Sequence, residues 1–201
     1  MRHIAGRDPG ARWPGKRGTC SGISGRPGPV WIDIPLDIQD HRIEKKYKKV
    51  QFNNSMYKCK KSELNYIYNS IQNSKKPALL ISSGIKSAGA EIQFNKFVKK
   101  FKIPVTYTHS SVDVYKYDNE LCIGSVGSQG CTRAGAFVVQ NSDLLIILGS
   151  RINSLTTGPD KNKFARKAKI IAVDINKNEF KKNNIKIKSK SRFNCTSDRC
   201  D

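Results

Sequence analysis

Three stretches of this chain, Ala78-Leu79-Leu80-Ile81, Leu144-Leu145-Ile146-Ile147-Leu148 and Ile170-Ile171-Ala172-Val173, are unbroken apolar runs ended by Ser82, Gly149 and Asp174. Successive side chains of a strand point to opposite faces, so a run without polar alternation belongs in a sheet buried on both sides. Between the runs the period changes. Leu64, Ile67, Tyr68 and Ile71 fall at helical spacing after Ser62, a residue type that caps helix N-termini, and the pattern stops before Pro77. Ala90, Phe94, Phe97, Val98 and Phe101 mark a second helix, and Thr132 to Gln140 a third. With the strand Pro104-Val105-Thr106-Tyr107-Thr108 added, four strands alternate with helices, which predicts an α/β fold built on a doubly wound parallel sheet.

Only residues 62–201 carry this pattern. Residues 1–24 use arginine in place of lysine, are dense in glycine and show no apolar period, so they are expected to be disordered or to come from a wrong reading frame. In residues 25–40, "GRPGPVWIDIPLDIQD", two prolines lead into Val30-Trp31-Ile32-Asp33-Ile34 and Pro35 closes it, which describes one strand entered from a rigid turn. A lone strand needs a sheet that the preceding residues do not supply. Residues 41–61 are basic, contain asparagine and lack periodicity, as a linker would.

A doubly wound sheet binds ligands beyond the carboxyl ends of its strands. Three loops meet that description. "SSGIKSAG" (82–89) holds Gly84 at a strand-to-helix turn. "GSVGSQGCTRAG" (124–135) holds Gly124, Gly127 and Gly130 at intervals of three, then Arg133 at a helix start suited to a phosphate. "GSRINSLTTG" (149–158) places Arg151 just past a strand end, and Asp174 ends the last apolar run with a carboxylate that suits a ribose hydroxyl. These seven residues are the cofactor-binding candidates; beside that stands the plainer account, in which each glycine only relaxes a turn. No catalytic or metal-ligating set stands out.

The formal net charge of +21 points towards anionic partners. "EKKYKKVQFNNSMYKCKK" (44–61) even interleaves aromatics with lysines, but no nucleic-acid-binding motif accompanies it, so a nucleic-acid partner is not expected. The six cysteines show no CxxC spacing and the three histidines lie far apart, which suggests neither a zinc site nor a disulfide framework. No run is long enough for a membrane span and no signal-peptide pattern opens the chain, so a cytoplasmic protein is expected.

"GRPGPVWIDIPLDIQ" resembles the closing strand of the pyrimidine-binding domain in thiamine diphosphate-dependent enzymes of the acetolactate synthase type. "GSQGCTRAGAFVVQNSDLLIILGSRIN" and "FARKAKIIAVDINKNEF" are similar to the central, nucleotide-binding-like domain of the same superfamily, in the same order. The resemblance implies a fragment: residues 25–40 end an absent pyrimidine-binding domain, and residues 62–201 form a central domain short of its C-terminal end. The truncation is either biological or a product of gene prediction. It further implies a parent transferase or lyase that decarboxylates or condenses 2-keto acids. The parent would use thiamine diphosphate and Mg²⁺ held outside this chain and assemble as a dimer or tetramer of identical subunits. The chain alone is then expected to be inactive. Arg151 corresponds to the first arginine of the G-x-R-F-D-D-R motif of flavin-dependent members, but Ile152, Asn153, Ser154 and Leu155 stand in place of the motif's remaining residues, so FAD or ADP is implied at that arginine only. Two other functions fit the residues: a free-standing adenine-nucleotide-binding module, and a basic nucleic-acid-associated protein.

Overall fold

The computed structural model describes residues 59–175, and outside them residues 3–4, 29, 31–32, 36–39 and 187–191. The chain divides into two units, residues 1–55 and 56–201. In the first, β1 (His3–Ile4) pairs in parallel with β2 (Trp31–Ile32), and a single turn of helix, α1 (Leu36–Gln39), comes next. The strand predicted over Val30 to Ile34 is thus described at its centre. The remainder of residues 1–24, and nearly all of the predicted linker, lie outside the described residues.

The second unit is a six-stranded sheet in the order β5-β4-β3-β6-β7-β8, every neighbouring pair parallel. The strands are β3 (Pro77–Ile81), β4 (Val105–Thr108), β5 (Cys122–Val126), β6 (Leu144–Leu148), β7 (Lys169–Val173) and β8 (Ile187–Ser191). Counted along the chain this is the order 3-2-1-4-5-6, which reverses between β3 and β6 and is the arrangement of dinucleotide-binding domains. The helices are α2 (Lys61–Gln72), α3 (Gly84–Ser87), α4 (Glu91–Phe101), α5 (Arg133–Asn141) and α6 (Ser154–Thr157).

Side-chain alternation sorts the core into two layers. Leu79 and Ile81 of β3 pack with Leu144, Ile146 and Ile171 under Ile67 and Ile71 of α2 and Phe94 and Val98 of α4. Ala78 and Leu80 pack with Leu145, Ile147 and Ala172 under Val139 of α5 and under Ile152, Phe164 and Ala165. Leu79, Leu80, Ile81, Leu145 and Ile147 are wholly buried, as a run apolar on both faces requires.

Several expectations need correction. Among the described residues the sheet has six strands, not four. Sequence patterning places β5 within a glycine loop, because "CIGSV" is short and contains Gly124. That glycine answers to a tertiary contact: a Cβ there would lie 2.2 Å from Thr132 Oγ1, whose hydroxyl folds back to donate to the Ser125 carbonyl at 3.2 Å. β8 carries the sequence Ile-Lys-Ser-Lys-Ser, too polar to read as a buried run but suited to an edge. α2 begins at Lys61, ahead of Ser62, with the Glu63 carboxylate accepting from the Lys60 amide at 3.1 Å, and it buries Ile67, Ser70 and Ile71 while Leu64 and Tyr68 stay exposed.

Two contacts fix how the strands enter and leave the sheet. At the amino edge, Asp143 accepts from the Lys75 amide at 2.7 Å, the Lys76 amide at 3.0 Å and the Ser74 hydroxyl. Its backbone also joins the strands on either side, its N–H donating to Lys76 O (3.2 Å) and its carbonyl accepting from Lys169 N (2.8 Å). Burial raises the Asp143 pKa, but the Ser74 hydroxyl and the two amides outweigh it and hold the group below its ordinary value of 3.8. At the carboxyl edge, where the strand order reverses, the backbones of Gly84 and Gly149 touch. A Cβ on Gly84 would lie 2.5 Å from Gly149 Cα, and one on Gly149 would lie 2.7 Å from Gly84 Cα.

Asp143→Asn turns one acceptor into a donor facing an amide, so urea denaturation at neutral pH should show a loss of about 1–3 kcal/mol. The depressed pKa makes the wild-type contribution complete above the unfolded value and lost as pH falls through the folded one. The gap between wild type and variant should therefore close in acid. Gly149→Ala meets backbone and a left-handed φ of +63°, and should cost about 3 kcal/mol or more. Gly89→Ala has a similar φ of +62° but nothing within 4 Å, and should cost only about 1 kcal/mol in the same assay.

Candidate functional site

The crevice outside β3 and β6 is where a sheet of this order receives ligands. Its floor is the Gly84–Gly149 crossing. The Gly84 amide donates to the Gly149 carbonyl at 3.2 Å, and the Gly149 amide donates to Val173 O at 2.9 Å. Both amides are engaged by the protein, so the absence of side chains here serves close approach of two loops.

Beside this floor, at the ends of β3 and β4, four hydroxyls form a cluster. Thr108 Oγ1 donates to Ser82 Oγ at 2.9 Å and lies 3.2 Å from the oxygens of both Ser110 and Ser111. Ser111 in turn reaches the carbonyls of Ile81 (3.1 Å) and Thr108 (2.9 Å). Next to it, Lys86 of α3 and Asp113 form an exposed ion pair, whose hydrogen bond raises the lysine pKa and lowers the aspartate's. Sequence patterning missed this group, although "THSS" directly after a strand was its visible signal.

The loop after β5 leans on the loop after β6. Gly127, at φ +143°, would place a Cβ 2.8 Å from Leu155 O, and that same carbonyl accepts from the Ser128 amide at 2.7 Å. Gly130 lies near His109, with a Cβ position 3.9 Å from Nδ1, and its carbonyl accepts from the Ser125 hydroxyl. Thr132 caps α5 by accepting from the Gly135 amide at 3.1 Å, which leaves Arg133 exposed on the first turn. Gly124 stands apart from these, inside β5.

Arg151 is exposed between two buried residues, Ser150 and Ile152. Ile152 has φ +48°, an unusual conformation for a β-branched residue that costs about 1–2 kcal/mol, offset here by burial of its side chain. The turn that results holds the arginine at the rim of the crevice, and Asn153 then caps α6 by accepting from the Thr156 amide at 3.2 Å. Asp174, at the end of β7, is buried. The structure therefore brings the Gly84, Gly127, Gly130, Arg133, Arg151 and Asp174 segments to one edge of the sheet, with direct contact between the first and third loops and between the second and third.

The chemistry available at this edge is hydrogen bonding and positive charge. Among the described residues no three His, Cys, Asp or Glu side chains converge to hold a metal ion. Neither Cys59 nor Cys122 is an activated thiol. Burial, with the neighbouring Glu63 next in weight, pushes Cys59 up to about 11, and burial likewise raises Cys122. Among the described residues no helix is long and apolar enough to cross a membrane.

Comparison with known proteins places this architecture. Residues 64–192 match the thiamine pyrophosphate enzyme central domain. The chain is 34% identical over 166 residues to the acetolactate synthase large subunit of Porphyra purpurea, covering 80% of this chain and 28% of that one. It is 35% identical over 166 residues to the probable acetolactate synthase large subunit of Methanocaldococcus jannaschii, again with 80% and 28% covered. The chain thus spans little more than a quarter of the length of these relatives. Benzoylformate decarboxylase from Polynucleobacter necessarius superposes with a TM-score of 0.67 at 18% identity, over 85% of this chain and 32% of that one, a likeness of fold. By the match over most of its length, the chain belongs to the thiamine pyrophosphate enzyme family, of which it carries the central domain.

Proposed function

We propose that this chain supplies the central domain of an acetolactate synthase-like, thiamine diphosphate-dependent enzyme that decarboxylates or condenses 2-keto acids. The observation that carries this is the match to acetolactate synthase large subunits along 80% of the chain. Residues 25–40 are the closing strand of a pyrimidine-binding domain and residues 41–61 the linker from it; the parallel strand at Trp31–Ile32 supports the former. Thiamine diphosphate supplies the carbanion chemistry when bound, together with Mg²⁺. The described residues do not fit a magnesium site, since no three acidic, imidazole or thiol side chains converge among them. The work of this chain is positional: its sheet holds the carboxyl-edge loops in register, and exposed Ile92, Phe137 and Leu155 offer apolar surface to neighbouring domains or subunits of a homo-oligomer. The cytoplasm is the compartment we assign to it.

A second function rests on the strand order and on Arg151. An adenine nucleotide, ADP or the adenine half of FAD, would lie across the crevice between β3 and β6, with its phosphates towards the exposed guanidinium. With the Gly84 and Gly149 amides engaged, side chains rather than a glycine cradle would hold the phosphates.

Incubated with pyruvate, thiamine diphosphate and Mg²⁺, the purified chain is expected to consume no more pyruvate than a control without protein; turnover above that control would overturn its assignment as a supporting domain. ADP or FAD at about ten times Kd should stabilise the fold by about 1.4 kcal/mol and raise the melting temperature by about 4–6 °C. Arg151→Ala should abolish that rise. A wild-type melting curve unmoved by either ligand would leave the crevice a packing feature.

A further inference from the structure

Parallel strands bring all their amino ends to one side of the sheet, and at this edge the residues at the starts of β3, β4 and β7 are rich in cations, whereas acidic residues precede β5 and β6. Lys75 and Lys76 lead into β3, Lys102 stands three positions before β4, and Arg166, Lys167 and Lys169 lead into β7. Five of the six are exposed and Lys169 is half-buried. The Lys86–Asp113 and Lys163–Asp160 ion pairs involve none of these six, and the acidic group among them is Asp143, whose carboxylate is bonded to the Lys75 and Lys76 backbone amides. Lys102 occupies the left-handed position after α4 (φ +51°), where glycine or asparagine is usual, so a lysine is kept there at some conformational cost.

The same edge holds a cleft of about 360 Å³ lined by Tyr66, Asn69, Ser70, Asn73, Asp143 and Lys169 among others. That volume lies within the range of small-molecule sites, about 300–1,000 Å³. Its polar lining combines the Lys169 ammonium with amides and hydroxyls that can donate. Asn69 in the last turn of α2 and Asn73 at its C-cap are four residues apart, both exposed. Lys169 Nζ is held 4.3 Å from the centroid of the Tyr66 ring and donates to Ser70 Oγ at 3.0 Å, which uses one of its three N–H groups and leaves the others for a ligand. Asp143 is the one acidic group in the lining, and its oxygens already accept from Ser74, Lys75 and Lys76.

We propose that this amino-edge cleft binds a small phosphate-bearing anion, held by Lys169, Asn69 and Asn73 and drawn in by the flanking cations. Several cations along one edge favour a ligand with more than one negative charge, which selects a phosphate ester or diphosphate over a monocarboxylate. The cleft is open to solvent, and what favours a small anion over a nucleic-acid strand is that a strand would need free aromatic faces along a groove, whereas the Tyr66 ring is already covered by Lys169.

Titration of the full chain with sodium pyrophosphate by isothermal calorimetry tests this. Asn69→Asp adds a negative charge at an exposed helical position, where folding is preserved and can be checked by circular dichroism; it should weaken binding about tenfold or more, as should Lys169→Gln. Lys86→Gln, which removes an exposed charge at the carboxyl edge of the sheet, should change Kd by no more than about twofold. Raising salt from about 50 to about 200 mM should weaken binding severalfold. Three results would overturn the proposal: no heat at millimolar pyrophosphate, equal losses in Lys86→Gln and the cleft variants, or tighter binding of an oligothymidylate that is indifferent to Asn69→Asp.

Discussion

Everything at the carboxyl edge depends on two backbones being allowed to touch. Gly84 comes just after β3 and Gly149 just after β6, the two strands between which the chain order reverses, and each residue occupies the space where the other's Cβ would stand. The contact brings the Ser82 amide to Leu148 O and the Gly84 amide to Gly149 O, so the sheet's hydrogen-bond ladder runs one step past the strands. From there the loop after β6 turns through buried Ile152 into α6, whose Leu155 carbonyl receives the loop after β5. One close approach thereby sets the positions of three loops.

That dependence explains which elements were legible in the sequence and which were not. β3, β6 and β7 could be read because burial on both faces demands apolar side chains at every position, a signal that no local conformation mimics at that length. β5 escaped because its sequence answers to Thr132, a residue eight positions away that folds over Gly124; a glycine imposed by a tertiary contact looks, in one dimension, like a glycine imposed by a turn. α2 is legible as a helix, but part of its buried face is not. Leu64 and Tyr68 keep helical spacing with Ile67 and Ile71, yet Ser70 turns inward to meet Lys169, and a polar residue recruited by a distant lysine leaves no trace in a hydrophobic pattern.

The candidate site divides in the same way. Its location is set by topology, and the structure places six of the seven predicted residues in loops or element ends at one edge. Their roles are set by packing, which the sequence does not display. At Gly84, Gly127 and Gly149 backbone or carbonyl lies where a side chain would be, so loop-on-loop packing alone accounts for a glycine at each. Arg151 differs in kind, since its exposure follows from the turn at the buried, positive-φ Ile152 beside it.

A parallel sheet gives its two edges different electrostatic opportunities, and this chain uses both. Carboxyl ends deliver loops that can be shaped at will, and here they are latched together by amides, carbonyls and hydroxyls with little net charge beyond two exposed arginines. Amino ends begin abruptly, so the residues before each strand are fixed in place by the ladder itself. Asp143 shows how: its backbone is bonded to the chain before β3 and to the first residue of β7, while its side chain fastens Ser74, Lys75 and Lys76. A single acidic residue thus aligns the bases on either side of it through their backbone amides. Much of the chain's excess positive charge is diffuse, but at this edge register makes it local, beside a polar cleft that a ligand could enter.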